Sequence, residues 1–295
     1  MLLTHTIELF LNEKLTVTRQ SYFYILRDMQ DYLGRNRPID SIKPEHLVEY
    51  TNAVNARDYS PITVRRYVKT VKTFFNWVVD LELIDKSPAR VLKLRKVSDY
   101  VPPEKAMSEA ELATLLDYVK YKPRDHALIL FIADTGCRAG GASLLKIADL
   151  DLPHCRATVT EKGNKTRPVA YGEACARVIG LWLIKRPQSA GPYVFSRNQN
   201  PVKPDNISQI IRRNCLKCGL RSLGSHSLRH RKGHQLADAR IAPSVAATAM
   251  GHEDARITIE HYYPHDWERA EAALRELSHH DEKPINIIDF ESKRG

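Results

Sequence analysis

The sequence has few cysteines and no long apolar run. Its five cysteines among 295 residues are odd in number and too sparse for a disulfide framework, and we find no secretory hydrophobic segment, so we expect a reducing, cytoplasmic environment. Cys215 and Cys218 have the spacing of half a zinc site, but no second CxxC pair follows, and we predict no metal. No apolar stretch is long enough to cross a bilayer, so we expect no membrane partner.

Basic residues outnumber acidic ones along the chain. There are 45 Lys and Arg against 35 Asp and Glu, which gives a formal net charge of +10 and an isoelectric point near 9.3. A surface of this kind favours a polyanionic partner, and nucleic acid is the first candidate. The length and the 43% hydrophobic content fit two domains, each with its own core.

Helical periodicity dominates the first third of the sequence. One helix is expected from Thr16 until Gly34 ends it, a second begins near Pro44, and a third is capped by Ser60 with Pro61 in its first turn. The apolar stripe of the third helix faces away from four cations that share one side. We expect these cations to contact DNA phosphates: Arg65, Arg66, Lys69 and Lys72. A solvated helix face is the alternative.

Charged residues, serine and two prolines without periodicity mark residues 96–106 as a linker. We therefore place a helical DNA-binding domain at residues 1–95, a second domain at 107–280 and a tail at 281–295. Ser108 and Glu111 form a capping box that opens the second domain. Strand-like runs at 155–160 and 167–171 predict a hairpin among helices, which are expected at 125–134, 173–186, 204–218, 227–240, 243–250, 256–262 and 266–278. The predicted fold is mainly α, with a mixed α+β second domain that carries a small β-hairpin or sheet.

The second domain contains the residue types that cleave a phosphodiester without a metal. This reaction needs a nucleophile, cations that gather charge at phosphorus, and an acid for the departing oxygen. Arg138 and Arg229 can offer forked N–H donors to the non-bridging oxygens. His226 precedes Arg229 by one helical turn and can point into the same cleft, while Lys162 at the hairpin tip can reach a minor groove or a leaving oxygen.

Two adjacent tyrosines, Tyr262 and Tyr263, follow His252 closely in the sequence. A phenol titrates near pH 10, so attack at neutral pH requires neighbouring cations, which the two arginines supply. Either tyrosine taken alone could be a buried ring with a satisfied hydroxyl group. The residues alone leave open which of the two rings would attack, Tyr262 or Tyr263.

These motifs occur in an order that resembles the tyrosine recombinase, or phage integrase, family over about residues 16–280. The order is Thr-Gly-Cys-Arg138, Lys162-Gly-Asn-Lys165, His226-Ser-Leu-Arg229-His230, Gly-His252 and then a tyrosine. The segments at 73–80 and 83–88 are similar to the family's helical, SAM-like core-binding domain. The resemblance also accounts for His226, His230 and His234 on one helical face, whose spacing would otherwise suit a metal.

The resemblance implies a role for each motif residue. Arg138 and Arg229 would clamp the phosphate, Lys162 and His226 would handle protons, His252 would support the transition state, and Tyr262 would attack. It further implies a homo-tetramer on paired sites in double-stranded DNA, a monomer or dimer off DNA, a 3′-phosphotyrosyl intermediate, a Holliday junction and no cofactor. We expect further DNA contacts from Lys165, Arg167, Arg212 and Arg213.

Three features qualify the resemblance. With no room for a further arm-binding domain, we expect the simple two-domain type of recombinase. The family usually has an acid where this sequence has Gly141, so a DNA-binding protein that keeps the fold but has weak or lost catalysis is the alternative function. The tail at 281–295 is too apolar to be free, and it either covers its own domain or, as the family favours, docks on a neighbouring subunit.

Overall fold

The computed structural model describes residues 1–14, 16–95, 98, 101–161, 163–263, 271, 274 and 275, with only the backbone described at 16–18. The chain divides into two compact units, Met1–Ser98 and Asp99–Gly295. Each unit has a hydrophobic core of its own. The tail predicted at 281–295 lies outside the described residues, as does nearly all of the helix predicted at 266–278.

The first unit is a helical bundle. Its described residues form α1 (Leu3–Asn12), α2 (Thr16–Leu33), α3 (Pro44–Asn55) and α4 (Pro61–Asp80), with short 3-10 turns at Ile39–Ser41 and Pro88–Val91. Ser60 caps α4 as predicted, since its hydroxyl group accepts a hydrogen bond from the Thr63 N–H at 3.3 Å. The sequence-based prediction missed α1, whose buried Phe10 packs against Phe74 and Trp77.

The second unit is mainly helical and contains one small sheet. Strands β1 (Leu150–Asp151), β2 (Arg156–Glu161) and β3 (Lys165–Ala170) pair antiparallel in the order β1-β2-β3. Strands β2 and β3 form the predicted hairpin, in which Glu161 pairs with Lys165 at the turn. The described helices are α5 (Glu109–Val119), α6 (Pro123–Thr135), α7 (Ala139–Leu144), α8 (Glu173–Lys185), α9 (Pro204–Lys217), α10 (Ser225–Asp238), α11 (Pro243–Met250) and α12 (Ala255–Tyr262).

The fold class agrees with the prediction of a mainly α protein with a small sheet. The capping box at Ser108 and Glu111 is present at the start of α5. The sequence did not predict α7, which contains two glycines, or the two-residue strand β1. No helix within the described ranges is long and apolar enough to span a membrane.

Residues 101–106, the second half of the predicted linker, pack on the second unit. The Val101 side chain is buried, and its N–H donates to the His261 carbonyl oxygen at 3.0 Å. Directly after this segment, the Met107 N–H donates to the Ser227 carbonyl oxygen at 3.1 Å. These bonds join the start of the second unit to α12 and α10, the helices that carry the predicted active-site residues His226, Arg229 and Tyr262.

Two helices end on left-handed glycines at the site. Helix α6 is closed by Gly136 with φ 60°, and α11 by Gly251 with φ 65°. Glycine adopts this backbone conformation without the steric cost that a Cβ imposes. The two turns bring the carboxyl ends of α6 and α11 close to the same part of α10.

Candidate active site

Arg229 connects the ends of α6 and α11. Its Nη1 donates to the Gly136 carbonyl oxygen and its Nη2 to the Met250 carbonyl oxygen, both at 2.6 Å. Carbonyl groups at helix carboxyl ends carry partial negative charge, so they stabilise this buried guanidinium. Burial and the nearby charge of Arg138 lower the pKa of Arg229 to about 10, so the side chain remains charged at neutral pH.

Arg138 is the N-cap residue of α7 and is fixed along one side only. Its Nη1 donates to Glu161 Oε2 at 2.5 Å and to the Gly251 carbonyl oxygen at 3.1 Å. Its backbone N–H donates to Glu161 Oε1 at 2.9 Å. The side chain is 37% exposed, so the guanidinium keeps donors available to a ligand.

A basic cavity of about 590 Å³ opens beside Arg138. On its β3 side, Arg167 Nη1 donates to the Ala249 carbonyl oxygen at 2.9 Å, and Nη2 lies 3.5 Å from Glu161 Oε1. At its rim, Lys165 Nζ lies 2.5 Å from Glu253 Oε1. The size and the charge of the cavity suit a phosphate group of a nucleic acid backbone. Its lining includes Arg138, Glu161, Lys165, Arg167, Gly251 and His252.

The Tyr262 side chain is buried at the end of α12, with 3% exposed. Its hydroxyl oxygen lies 3.0 Å from His230 Nδ1. Its ring centroid is 5.3 Å from that of His234, and it stacks at 6.5 Å on His252 with an angle of 5° between the planes. Burial raises the pKa of Tyr262, whereas the charges of Arg229 and Arg138 act to lower it. Burial is the larger effect, so the pKa of Tyr262 stays above its usual value, and the two arginines offset part of that increase.

The second tyrosine of the doublet has a different environment. The Tyr263 hydroxyl group donates to the Ile241 carbonyl oxygen at 2.7 Å, in the segment between α10 and α11. This bond holds the hydroxyl group away from the histidines that surround Tyr262. The two tyrosines are adjacent in the sequence, but their hydroxyl groups have different hydrogen-bond partners.

Two histidines near Tyr262, His230 and His252, are neutral at neutral pH. Burial, together with nearby histidines and Arg229, lowers the pKa of His230 to about 4. Burial and the two arginines of the site lower the pKa of His252 to about 4 as well. His252 Nδ1 lies 2.6 Å from Thr258 Oγ1, which fixes the ring orientation. His226 lies on the first turn of α10, where its side chain is exposed.

The structure brings together Arg138, Arg229, His252 and Tyr262, with His226 on the same helix as Arg229. Lys162, one of the two residues predicted to handle protons, lies outside the described residues. Within the described ranges, no group of three or more His, Cys, Asp or Glu side chains is arranged to hold a metal ion.

The predicted DNA-contacting cations differ in their surroundings. On α4, Lys72 Nζ donates to the carbonyl oxygens of Ala89 at 3.0 Å and Leu92 at 2.9 Å, within its own unit. Arg66 donates to the Ser21 hydroxyl group, and the Lys69 side chain is exposed. Arg65 is half-buried in the same helix. On α9, Arg212 lies against Gly224 next to His226, and Arg213 is exposed.

Three residues of the site were not recognised from the sequence. His230 was considered only as a metal ligand, although its place beside Arg229 was a signal. Glu161, directly after the strand-like run at 155–160, was not singled out, although the missing acid at Gly141 invited a search for another carboxylate. Gly233 faces the Tyr262 ring so closely that a Cβ there would lie 2.6 Å from each ring Cε atom.

Comparison with known proteins identifies the family. A model described as the phage integrase family matches residues 105–269, and one described as the phage integrase N-terminal SAM-like domain matches residues 2–85. The chain therefore belongs to the phage integrase family, the tyrosine recombinases, and we class it as a DNA recombinase.

Relatives and solved structures agree with this assignment. Tyrosine recombinase XerC of Alcanivorax borkumensis is 25% identical over 252 residues, which cover 82% of this chain and 81% of the relative. XerC of Myxococcus xanthus is 23% identical over 268 residues, which cover 85% of this chain and 88% of the relative. The Tn1549 transposon integrase in complex with transposon right end DNA aligns with a TM-score of 0.78 at 18% identity, over 94% of this chain and 99% of that one. XerH bound to difH substrate aligns with a TM-score of 0.69 at 21% identity, over 88% of this chain and 79% of that one. These solved structures share the fold.

Proposed function

We propose that this chain is a site-specific recombinase that cuts and rejoins DNA with Tyr262 as the nucleophile. The observation that carries the proposal is the Tyr262 hydroxyl group, buried 3.0 Å from His230 Nδ1 and within the field of two arginines. A tyrosine held only for packing would not require this surrounding of proton acceptors and cations. Burial raises the pKa of Tyr262 overall, so the hydroxyl group needs a base to take its proton, and the two arginine charges offset part of the effect of burial.

The reaction is two successive transesterifications. The Tyr262 oxygen forms a bond to phosphorus, the bond from phosphorus to the 5′ oxygen breaks, and a 3′-phosphotyrosyl bond conserves the energy of the phosphodiester. Neutral His230 accepts the phenol proton through Nδ1, and Arg138 with Arg229 gathers the charge on the phosphate oxygens. Lys162 or His226 protonates the departing 5′ oxygen, and His252 supports the transition state. A free 5′ hydroxyl group of the partner strand then reverses the step.

We infer that the enzyme works on paired sites in double-stranded DNA. XerH bound to its difH substrate and the Tn1549 integrase bound to transposon end DNA support a DNA partner for a chain of this fold. Four protomers would exchange strands through a Holliday junction, in integration, excision or resolution of a mobile element, plasmid or chromosome. The five cysteines are free, which agrees with action in the cytoplasm.

We further propose that the cations at Arg65, Arg66, Lys69, Lys165, Arg167, Arg212 and Arg213 contribute to DNA binding. Lys72, predicted as a DNA contact, instead stabilises its own unit in this proposal, because its Nζ donates to the carbonyl oxygens of Ala89 and Leu92. Phosphate contacts release counterions, so the dissociation constant should rise by orders of magnitude between low and moderate salt. Electrophoretic mobility shifts on one duplex across a salt series would measure this. An affinity independent of salt would contradict the proposal.

The test of the nucleophile compares the two tyrosines. Duplexes selected from a random library by binding to the wild-type protein would be nicked to trap covalent intermediates. We expect Tyr262→Phe to abolish the denaturation-resistant adduct while DNA binding is kept, because the change removes one oxygen. Tyr263→Phe is the matched control and should still form the adduct.

The alternative function is a DNA-binding protein without catalysis, for which Gly141 is the specific argument. Adduct from the wild-type protein that maps to Tyr262 would exclude it. Failure of the wild-type protein to form any adduct on the selected duplexes would favour it. Mapping of the adduct to Tyr263 would show instead that the enzyme uses the second ring.

A further inference from the structure

A buried carboxylate stands inside the site that would bind DNA phosphate. Glu161 ends β2, and its side chain is 6% exposed. One oxygen, Oε1, accepts the Arg138 backbone N–H at 2.9 Å and lies 3.5 Å from Arg167 Nη2. The other, Oε2, accepts Arg138 Nη1 at 2.5 Å. Both oxygens therefore contact Arg138.

A negative charge at this place opposes the binding of a phosphate, so its presence requires a reason. Burial alone would raise the pKa of Glu161, but the Arg138 N–H and the charges of Arg167, Arg138 and Arg229 lower it below its usual value. The carboxylate is therefore ionised at neutral pH. Its contacts restrict the Arg138 backbone and guanidinium together, which a single surface ion pair does not do.

The start of α7 explains why the carboxylate comes from β2. Arg138 is the N-cap residue of α7, and Gly141 is its third helical residue. In a capping box, an acid at the third position accepts the N-cap backbone N–H, and Gly141 has no side chain to do so. Glu161 Oε1 supplies that hydrogen bond from another strand. A Cβ at Gly141 would lie 3.3 Å from Glu161 Cγ and 3.5 Å from Oε1, so the carboxylate occupies the space of the missing side chain.

We propose that Glu161 is a positioning residue that holds Arg138 for the phosphate by replacing, from β2, the helix-capping acid that α7 lacks. The proposal rests on the proposed function, in which Arg138 binds the scissile phosphate. It explains how a chain with glycine at position 141 retains an ordered arginine. It also predicts that the carboxylate can be moved from position 161 to position 141.

The test moves the carboxylate between the two positions. Glu161→Ala and Glu161→Gln should slow single-turnover adduct formation on the nicked, selected duplex by about 10- to 100-fold, as expected for a displaced catalytic group. DNA affinity should stay the same or increase, because a negative charge leaves a cleft that binds an anion. A loss of rate without a loss of affinity separates positioning from DNA binding. Melting temperatures of the variants would show whether each protein is folded.

The double variant Gly141→Glu with Glu161→Ala should recover most of the lost rate, because a glutamate at the third helical position can accept the Arg138 N–H. The matched control is Gly140→Glu with Glu161→Ala. Gly140 has nothing within 4 Å of its Cβ position, and it precedes the third position by one residue. The control adds the same charge to the same helix but cannot form the capping bond, so it should remain slow.

Three outcomes would overturn the proposal. Wild-type or faster cleavage by Glu161→Ala would make the carboxylate a spectator or a competitor of the phosphate. Equal rates for the two double variants would show that position 141 does not replace position 161. If the wild-type protein forms no adduct, the proposed function fails, and non-additive melting shifts of Arg138→Met and Glu161→Gln still decide whether the two residues are coupled. Additive shifts would then refute the positioning role.

Discussion

Replacing Gly233 with alanine should leave the protein folded and remove most of its cleavage activity. A Cβ at this position would lie 2.6 Å from each Cε atom of Tyr262, and closer still to Cζ. Carbon atoms pack at about 3.5–4.0 Å, so the ring must move by about 1 Å or more. The Tyr262 hydroxyl group would then lose its 3.0 Å contact with His230.

The effects on folding and on catalysis have different sizes. Gly233 lies within α10, where alanine is favoured over glycine by about 1 kcal/mol. Overpacking against the ring costs about 1–3 kcal/mol, so the free energy of unfolding should fall by about 0–2 kcal/mol. A displacement of about 1 Å at a reacting group can reduce the rate about 100-fold.

Single-turnover adduct formation and urea unfolding would measure the two effects. Gly180→Ala is the matched control, because Gly180 lies within α8 and its Cβ position has nothing within 4 Å. That variant should gain about 1 kcal/mol of stability from helix propensity and cleave normally. If Gly233→Ala cleaves at the wild-type rate, the buried position of Tyr262 is not its reactive position, and the mechanism derived from it is wrong.

Three further predictions concern other parts of the chain. His230 and His252 have a pKa of about 4 in the folded protein and 6.5 as free side chains, so the unfolded chain binds more protons between these values. The contribution of these two rings to the free energy of unfolding should be fully present above about pH 6.5 and lost as the pH falls towards about 4, by about 1–2 kcal/mol for each ring after solvent screening. Urea unfolding would measure this, and a free energy of unfolding that does not change across this window would contradict it. Tyr263→Phe should lower the free energy of unfolding by about 1 kcal/mol, because it removes a hydrogen bond to a backbone carbonyl group. Thermal melting would measure this change, and an unchanged melting temperature would contradict the prediction. Lys72→Met should destabilise the protein by about 1–2 kcal/mol, whereas Lys69→Met on the same helix should weaken DNA binding without a stability change; unfolding curves and mobility shifts that gave the reverse pattern would refute these assignments.

Local rules explain which elements could be predicted from the sequence. Ser60 and Ser108 mark the starts of α4 and α5 through interactions between residues three apart, so their caps are visible in the sequence. Helix α7 was missed because its sequence, Ala-Gly-Gly-Ala-Ser-Leu, has low helix propensity, and its N-cap bond comes from a distant strand. The short strand β1 has too few residues to show a pattern.

The same distinction applies to the site. Arg138, Arg229, His252 and Tyr262 could be predicted because their motifs follow a recognisable order. The contact of His230 with Tyr262 joins residues 32 apart, and that of Glu161 with Arg138 joins residues 23 apart. Neither spacing has a meaning until the fold brings the segments together. The proposal of Tyr262 over Tyr263 likewise draws on the position of the Ile241 carbonyl group, which no local pattern predicts.

The two arginines of the site differ in how freely they can be lost over evolutionary time. Arg229 is buried and bonded to the carbonyl groups of Gly136 and Met250, so its removal would leave two buried acceptors unpaired, at a cost of about 3–5 kcal/mol. Arg138 is 37% exposed, and after its loss the buried Glu161 would still accept the backbone N–H of position 138 and lie 3.5 Å from Arg167 Nη2, so its loss affects the fold less. A lineage that gave up catalysis but kept DNA binding would therefore lose Arg138 first and retain Arg229. Of these two arginines, the one at position 229 could therefore be retained in a diverged descendant for stability alone, whereas the one at position 138 indicates retained chemistry.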